Sequence, residues 1–257
     1  MRVVMPRQEV GPGKVRSMGR RHGQLGLSLV ELMVGITVGM IVVAGASMML
    51  TQQLNEHRRL VLETQVQQDL RAAADLMLRE LRRGGAHAMA ENMVWVPAAT
   101  AAGPITNDYA SQTSVAQAQN EVDYSYSVSD SRVGGTPLYP EDNVSSSNEH
   151  FGFRLDGQTL QFKQGNGNAG GNWQALTDPA TLLITAFTVQ PNIQNLSLQD
   201  MCEKTCPVVT ATCPPQLLVK RFDITLTGVA AHDANVVRTL RVSSKMRNDE
   251  VIGACPP

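Results

Sequence analysis

From Leu32 to Leu50 the chain carries no charged side chain, and this run limits what it can fold into more than any other feature. Nineteen such residues approach the roughly 20 that a helix needs to cross a bilayer. Gly35, Gly39 and Gly45 interrupt it, which membrane helices tolerate better than soluble ones. A single carboxylate, Glu31, stands at its threshold. The near-neutral total of 22 basic and 23 acidic residues hides an asymmetry: residues 1–26 hold six Lys or Arg against Glu9 alone. A basic head before an apolar run is a topogenic signal that keeps the head cytoplasmic. No aromatics interleave with those charges, so no nucleic-acid partner is expected. The chain is therefore expected to be membrane-inserted or exported, with the remainder on the far side.

Glu31 discriminates among three readings of this segment. A cleaved signal peptide, with Ala44-Gly45-Ala46 as its cleavage site, would release an exported soluble binding domain. Its apolar region would be longer than the usual 7–15 residues and would contain the acid. A plain signal anchor explains the length but leaves Glu31 without a role. The third reading cuts the chain after Gly26, which creates an α-amino group on Leu27, four residues before Glu31. A carboxylate in a membrane helix is costly unless paired. In a staggered bundle the amine of one helix neutralises the glutamate of the next, so the buried charge sets register.

The stretch Gly26-Leu27-Ser28-Leu29-Val30-Glu31-Leu32 resembles the processing motif of type IV prepilins and pseudopilins. The resemblance implies that a prepilin peptidase cuts after Gly26 and methylates Leu27, and that Glu31 guides assembly. Leu27 departs from the family's usual Phe, and Ser28 from its common Thr. Met18 begins a nine-residue basic leader of the more usual length and is the expected start.

Helical periodicity continues beyond the apolar run. Leu62, Val66, Leu70, Ala73, Met77 and Leu81 share one face, no Pro interrupts residues 27–96, and Gly84-Gly85 supplies a stop. Arg79, Arg82 and Arg83 suit the dipole at its C-terminal end. A helix from Ser28 to Arg83 would measure roughly 84 Å. Residues 97–120 read as a loop, and alternating segments follow. Val122–Val128 reads as a strand, and Phe151–Phe162 as a hairpin turning at Asp156-Gly157. Leu182–Gln190, Leu217–Val229 and Val236–Met246 are further strands. The expected fold is α+β: a long N-terminal helix, transmembrane then amphipathic, packed on one antiparallel sheet. With aromatics at 4%, its core should be mostly aliphatic. The hairpin, Trp173, Leu176, Thr177, Asp178, the Phe187–Val189 strand and Lys245–Asn248 resemble, in order, the PilW group of minor pilins. J-type minor pseudopilins of type II secretion share a similar layout.

Cys202, Cys206, Cys213 and Cys255 lie in the C-terminal third. An even count in an exported domain favours disulfides over a zinc set. Four cysteines allow three pairings, and the spacing does not choose among them. Cys202–Cys206 with Cys213–Cys255 is the pairing we favour. Gly165–Gly170 matches a dinucleotide fingerprint as text, but a loop rather than a helix follows it. The five histidines form no metal or catalytic pattern. No cofactor, metal or enzymatic activity is therefore expected.

These readings divide the chain into a leader (1–26), a transmembrane and filament-core helix (27–50), its amphipathic half (51–85) and a periplasmic β domain (86–257). The resemblance implies a minor pilin of the inner membrane and pilus tip. Its partners would be prepilin peptidase and, through the N-terminal helix, other minor pilins and the major pilin.

Overall fold

The computed structural model describes residues 26, 28–87, 107–128, 132–133, 136–137, 144–165 and 171–256. Helix α1 spans Leu29–Arg83, and a short helix α2 spans Asp108–Ser111. Strands follow in the order β1 Ser114–Val115, β2 Glu121–Ser125, β3 Arg132–Val133, β4 Thr136–Pro137, β5 His150–Asp156, β6 Thr159–Gln164 and β7 Trp173–Ala175. The last four are β8 Leu182–Ser197, β9 Gln216–Ala230, β10 Asp233–Lys245 and β11 Glu250–Ile252. The chain divides into two compact units, Met1–Leu54 and Asn55–Pro257, and the boundary falls within α1.

The second unit contains two main antiparallel sheets rather than the single one expected. One has the order β1-β2-β5-β6-β7; in the other, β9 pairs with β8 along one edge and with β10 and β11 along the other. The β3–β4 pair stands apart from both. Residues 107–120, read from sequence as part of a loop, contain α2 and β1. Asn107 caps α2 by accepting from the Ala110 amide at 3.1 Å, and Tyr109 and Ala110 are buried. Loop composition concealed a cap followed by two core residues. The turn between β5 and β6 is Gly157-Gln158, one residue later than predicted, because Asp156 pairs with Thr159. Gly157 has φ +60°, the positive angle that a type II′ turn requires at its first central position.

Val66, Leu70, Ala73, Ala74, Met77 and Leu81 of α1 are buried, and Leu62 is partly buried against the same core. Opposing them are Val122, Tyr124, Phe151, Phe153 and Leu160 from the first sheet. The second sheet contributes Leu182, Ile184, Phe187, Val189, Phe222, Ile224 and Leu226. Most of the core is aliphatic, as expected, but the scarce aromatics are concentrated inside it. Tyr126 stacks on Phe151 at 4.1 Å between centroids, within a group that includes Tyr124, Phe153 and Phe162. The helix lies close on the second sheet at Gly228, where an added Cβ would fall 2.7 Å from Leu182 Cδ1 and 3.1 Å from Leu70 Cδ2.

Polar anchors fix the register of α1. Glu63 pairs with Arg238 of β10. Buried Glu80 accepts from the Tyr126 hydroxyl at 2.8 Å and lies 3.4 Å from Arg83, whose guanidinium covers the Tyr126 ring at 4.1 Å. Burial, together with that hydrogen bond, raises the Tyr126 phenol above its ordinary pKa, so it stays a donor. At the C-terminal end of the helix, the Gly85 amide donates to Ser125 O at 2.8 Å, and Arg82 O accepts from the Arg247 amide at 3.2 Å. The open Arg82 carbonyl is thus satisfied by the segment between β10 and β11, and Gly85, just past the helix, is tied to β2. Leu70→Ala should cost about 2–5 kcal/mol in urea unfolding, the range for a buried leucine truncated in a close-packed core.

Candidate functional site

Two parts of the molecule offer surfaces that the chain does not cover. The first is the N-terminal stretch of α1. Gly26 is exposed, Leu27 lies outside the described residues, and the first helical hydrogen bond runs from the Leu32 amide to Ser28 O at 3.1 Å. That places Glu31 in the first turn, where a helix N-terminus favours a negative charge. Every residue from Leu29 to Val61 is exposed, Leu29 by 73% and Ile41 by 72%. By length and composition the helix is able to cross a membrane. Its hydroxyl groups are satisfied internally. Thr37 donates to Val34 O, Ser47 to Val43 O and Thr51 to Met48 O, each within 2.9 Å. A lipid-facing helix needs this, because hydrocarbon offers no partner for a free donor. Apart from the neighbouring residues and backbone of its own helical turns, nothing lies within 4 Å of a Cβ added at Gly35, Gly39 or Gly45, so packing inside the chain does not require these glycines.

The second surface is an arm formed by the far ends of β8 and β9. Core-facing positions of β8 are buried as far as Val189, but every residue from Gln190 to Ser197 is exposed. Sequence reasoning ended this strand at Gln190, the residue before Pro191. The strand continues, since a proline is tolerated where its missing N–H would face an open edge. Beyond the arm, two disulfides staple the loop between β8 and β9. Cys202 pairs with Cys255, and Cys206 with Cys213. This corrects the favoured pairing of Cys202–Cys206 with Cys213–Cys255. The C-terminal tail docks beside this loop through the Ala254 amide to Thr212 O at 2.8 Å, and β11 pairs with the start of β9. Both contacts bring Cys255 within reach of Cys202. They depend on sheet topology, which cysteine spacing does not encode. The buried Lys220–Glu250 ion pair, at 2.7 Å, fastens β11 from the inside, and Lys220 also donates to Ala110 O at 2.6 Å.

Elsewhere, Lys163 crosses the outer face of the first sheet to pair with Asp123, and Arg154 lies 4.2 Å over Trp173. Burial lowers the pKa of the nearby His150 imidazole, and the Lys163 charge adds to the effect. Nothing here aligns a nucleophile with a base. Among the described residues no three His, Cys, Asp or Glu side chains come together as a metal site. Of the Gly165–Gly170 motif, only Gly165 lies within the described residues.

A family model described as prepilin peptidase-dependent protein B matches residues 59–246, well over half of the chain. A second, the prokaryotic N-terminal methylation motif, matches residues 21–47, which include Gly26, Leu27 and Glu31. No curated protein and no solved structure matches the chain.

The two disulfides close loops of very different length, with sequence separations of 53 and 7 residues. On loop-closure entropy, replacing Cys202 and Cys255 by serine should cost about 4 kcal/mol, and replacing Cys206 and Cys213 about 2 kcal/mol. Urea unfolding of the two double variants should rank them in that order.

Proposed function

Because the chain belongs to the prepilin peptidase-dependent protein B family and carries the N-terminal methylation motif, we propose that it works as a minor type IV pilin. Proteins of this kind are structural and pilin-like, not enzymes. In this reading prepilin peptidase cuts after Gly26 and methylates Leu27. The helix from residue 27 to 50 then holds the chain in the inner membrane, and the β domain lies in the periplasm. With other minor pilins the protein starts pilus assembly or forms the tip, joined to them and to the major pilin through its N-terminal helix.

The observation that carries this reading is the exposed apolar helix with one carboxylate in its first turn. An anchor alone needs no acid there. A bundle of parallel, staggered helices uses the acid, because the Leu27 amine of a neighbour neutralises Glu31 only in the correct register. The disulfides suit a domain exposed to an oxidising compartment.

Glu31→Ala tests the reading. Leader removal should proceed as in the parent chain, while recovery of the protein in sheared filaments should fall by roughly tenfold or more, the equivalent of about 1.4 kcal/mol of lost pairing. Unchanged recovery would contradict it. Deleting the gene should abolish pili and twitching; a loss of secreted enzymes with intact pili would instead assign the protein to a secretion pseudopilus.

A further inference from the structure

The arm of β8 has an open edge whose chemistry specifies its partner. Strand β8 pairs with β9 in unbroken register from Ala186–Thr227 to Ser197–Gln216. The Val189 amide points away from β9 and donates to Gln119 O at 2.7 Å, and Ile184 reaches Gln158 O at 2.9 Å. The inner half of the edge is therefore covered by turns belonging to the first sheet. Backbone direction alternates along an antiparallel strand, so Pro191, Ile193, Asn195 and Ser197 face the same way as Val189. None of the outward amides of Ile193, Asn195 and Ser197 has a partner among the described residues. Pro191 sits at an outward position, where a missing N–H breaks no bond to β9.

Natural sheets guard such edges with charge, proline, bulges or a covering loop, and on this arm only Pro191, at its inner end, is such a guard. Residues 190–197, QPNIQNLS, contain no charge at all and no bulge. Apolar groups gather there as well. Among the described residues, eight large apolar side chains are exposed outside α1, and five of them lie between residues 193 and 209: Ile193, Leu196, Met201, Val208 and Val209. Ile193 and Leu196 are about half exposed, on opposite faces of the arm. The disulfides hold the loop beyond the arm, and the Cys202–Cys255 link ties it to the tail.

We infer that the Pro191–Ser197 edge is a strand-addition site for an extended, uncharged segment of a different protein chain. A row of outward N–H and C=O groups accepts a β-strand and no other ligand class so well. Main-chain bonds supply affinity and alternate side chains supply selectivity. Pairing with a second copy fits less well: the one antiparallel register that sets Ile193 against Ile193 also sets Pro191, which has no N–H, against Asn195 in both halves, and the neighbouring registers set Ile193 against Asn195 or Ser197. A foreign strand can place an apolar residue opposite Ile193. The inference rests on the assembly reading only in supposing that the chain meets other subunits.

The test uses the full chain in its own membranes, with the photo-cross-linker benzoylphenylalanine in place of Leu196. The expected adduct joins position 196 to an identified peptide of another protein. Asn195→Pro removes an outward amide without breaking a bond to β9 and should lower the adduct by roughly tenfold or more, whereas Asn195→Ala, which loses the same side chain, keeps the amide and the adduct. Ile193→Lys changes an exposed side chain, needs no backbone adjustment, and should lower the adduct as Asn195→Pro does. The inference is overturned by no adduct, by an adduct only to a second copy, or by an adduct indifferent to Asn195→Pro and Ile193→Lys. An uncut leader in the same membranes would count against the assembly reading instead, so the two failures are distinguishable.

Discussion

An apolar helix left uncovered by its own chain is the constraint on which the rest of the molecule depends. From Leu29 to Val61 the side chains of α1 find no protein contact that buries them. From Val66 onward one face enters a close-packed core. One helix thus serves two environments, and the sequence changes to suit each. In the first part, hydroxyls bond back to the helix and glycines leave its surface low. In the second, alanines at 73 and 74 and a glycine at 228 admit close packing on a sheet. Glu31 belongs to the first environment, and only a partner of opposite charge makes its position favourable there.

The domain in turn depends on the helix. Val66, Leu70, Met77 and Leu81 complete a core that the two sheets share. Without them Phe153, Ile184 and Leu226 would lose part of their cover. Charged groups then fix how the helix lies. Glu63 meets Arg238 and Glu80 meets Tyr126, contacts from the helix to the sheet region that fit one register of the helix. Glu63 also pairs with Arg59, and Glu80 with Arg79 and Arg83, so both carboxylates keep a partner within the helix, and the contacts to the sheets specify geometry more than they add stability.

The helix was legible in the sequence because its signal is periodic and long. Five of the six positions assigned to its inner face are fully buried, and Leu62 is partly so. Glu80 was not legible, since a carboxylate reads as surface until Tyr126 and Arg83 are known to meet it. The longer strands β2, β5, β6, β8, β9 and β10 were read from the sequence, but not the short β1, β3, β4 and β11, nor the division between two sheets. Alternation reports which face is buried and is silent about neighbours. The stapled loop shows the same limit: Cys202 pairs with Cys255 because β11 returns alongside β9, a contact between residues far apart in the chain. The strand was ended at Gln190, whereas β8 runs on through Pro191, since a proline that would end a central strand is tolerated on an edge strand. That is also why the open arm of β8 went unseen.

The central claim is that the N-terminal segment is cut to create a charge partner for Glu31. The most direct test is mass spectrometry of the mature N-terminus in the membrane fraction. The account predicts a chain beginning at a methylated Leu27. A chain beginning at Ser47, released from the membrane, would contradict it, because the apolar helix would then be a discarded signal and Glu31 would be lost with it.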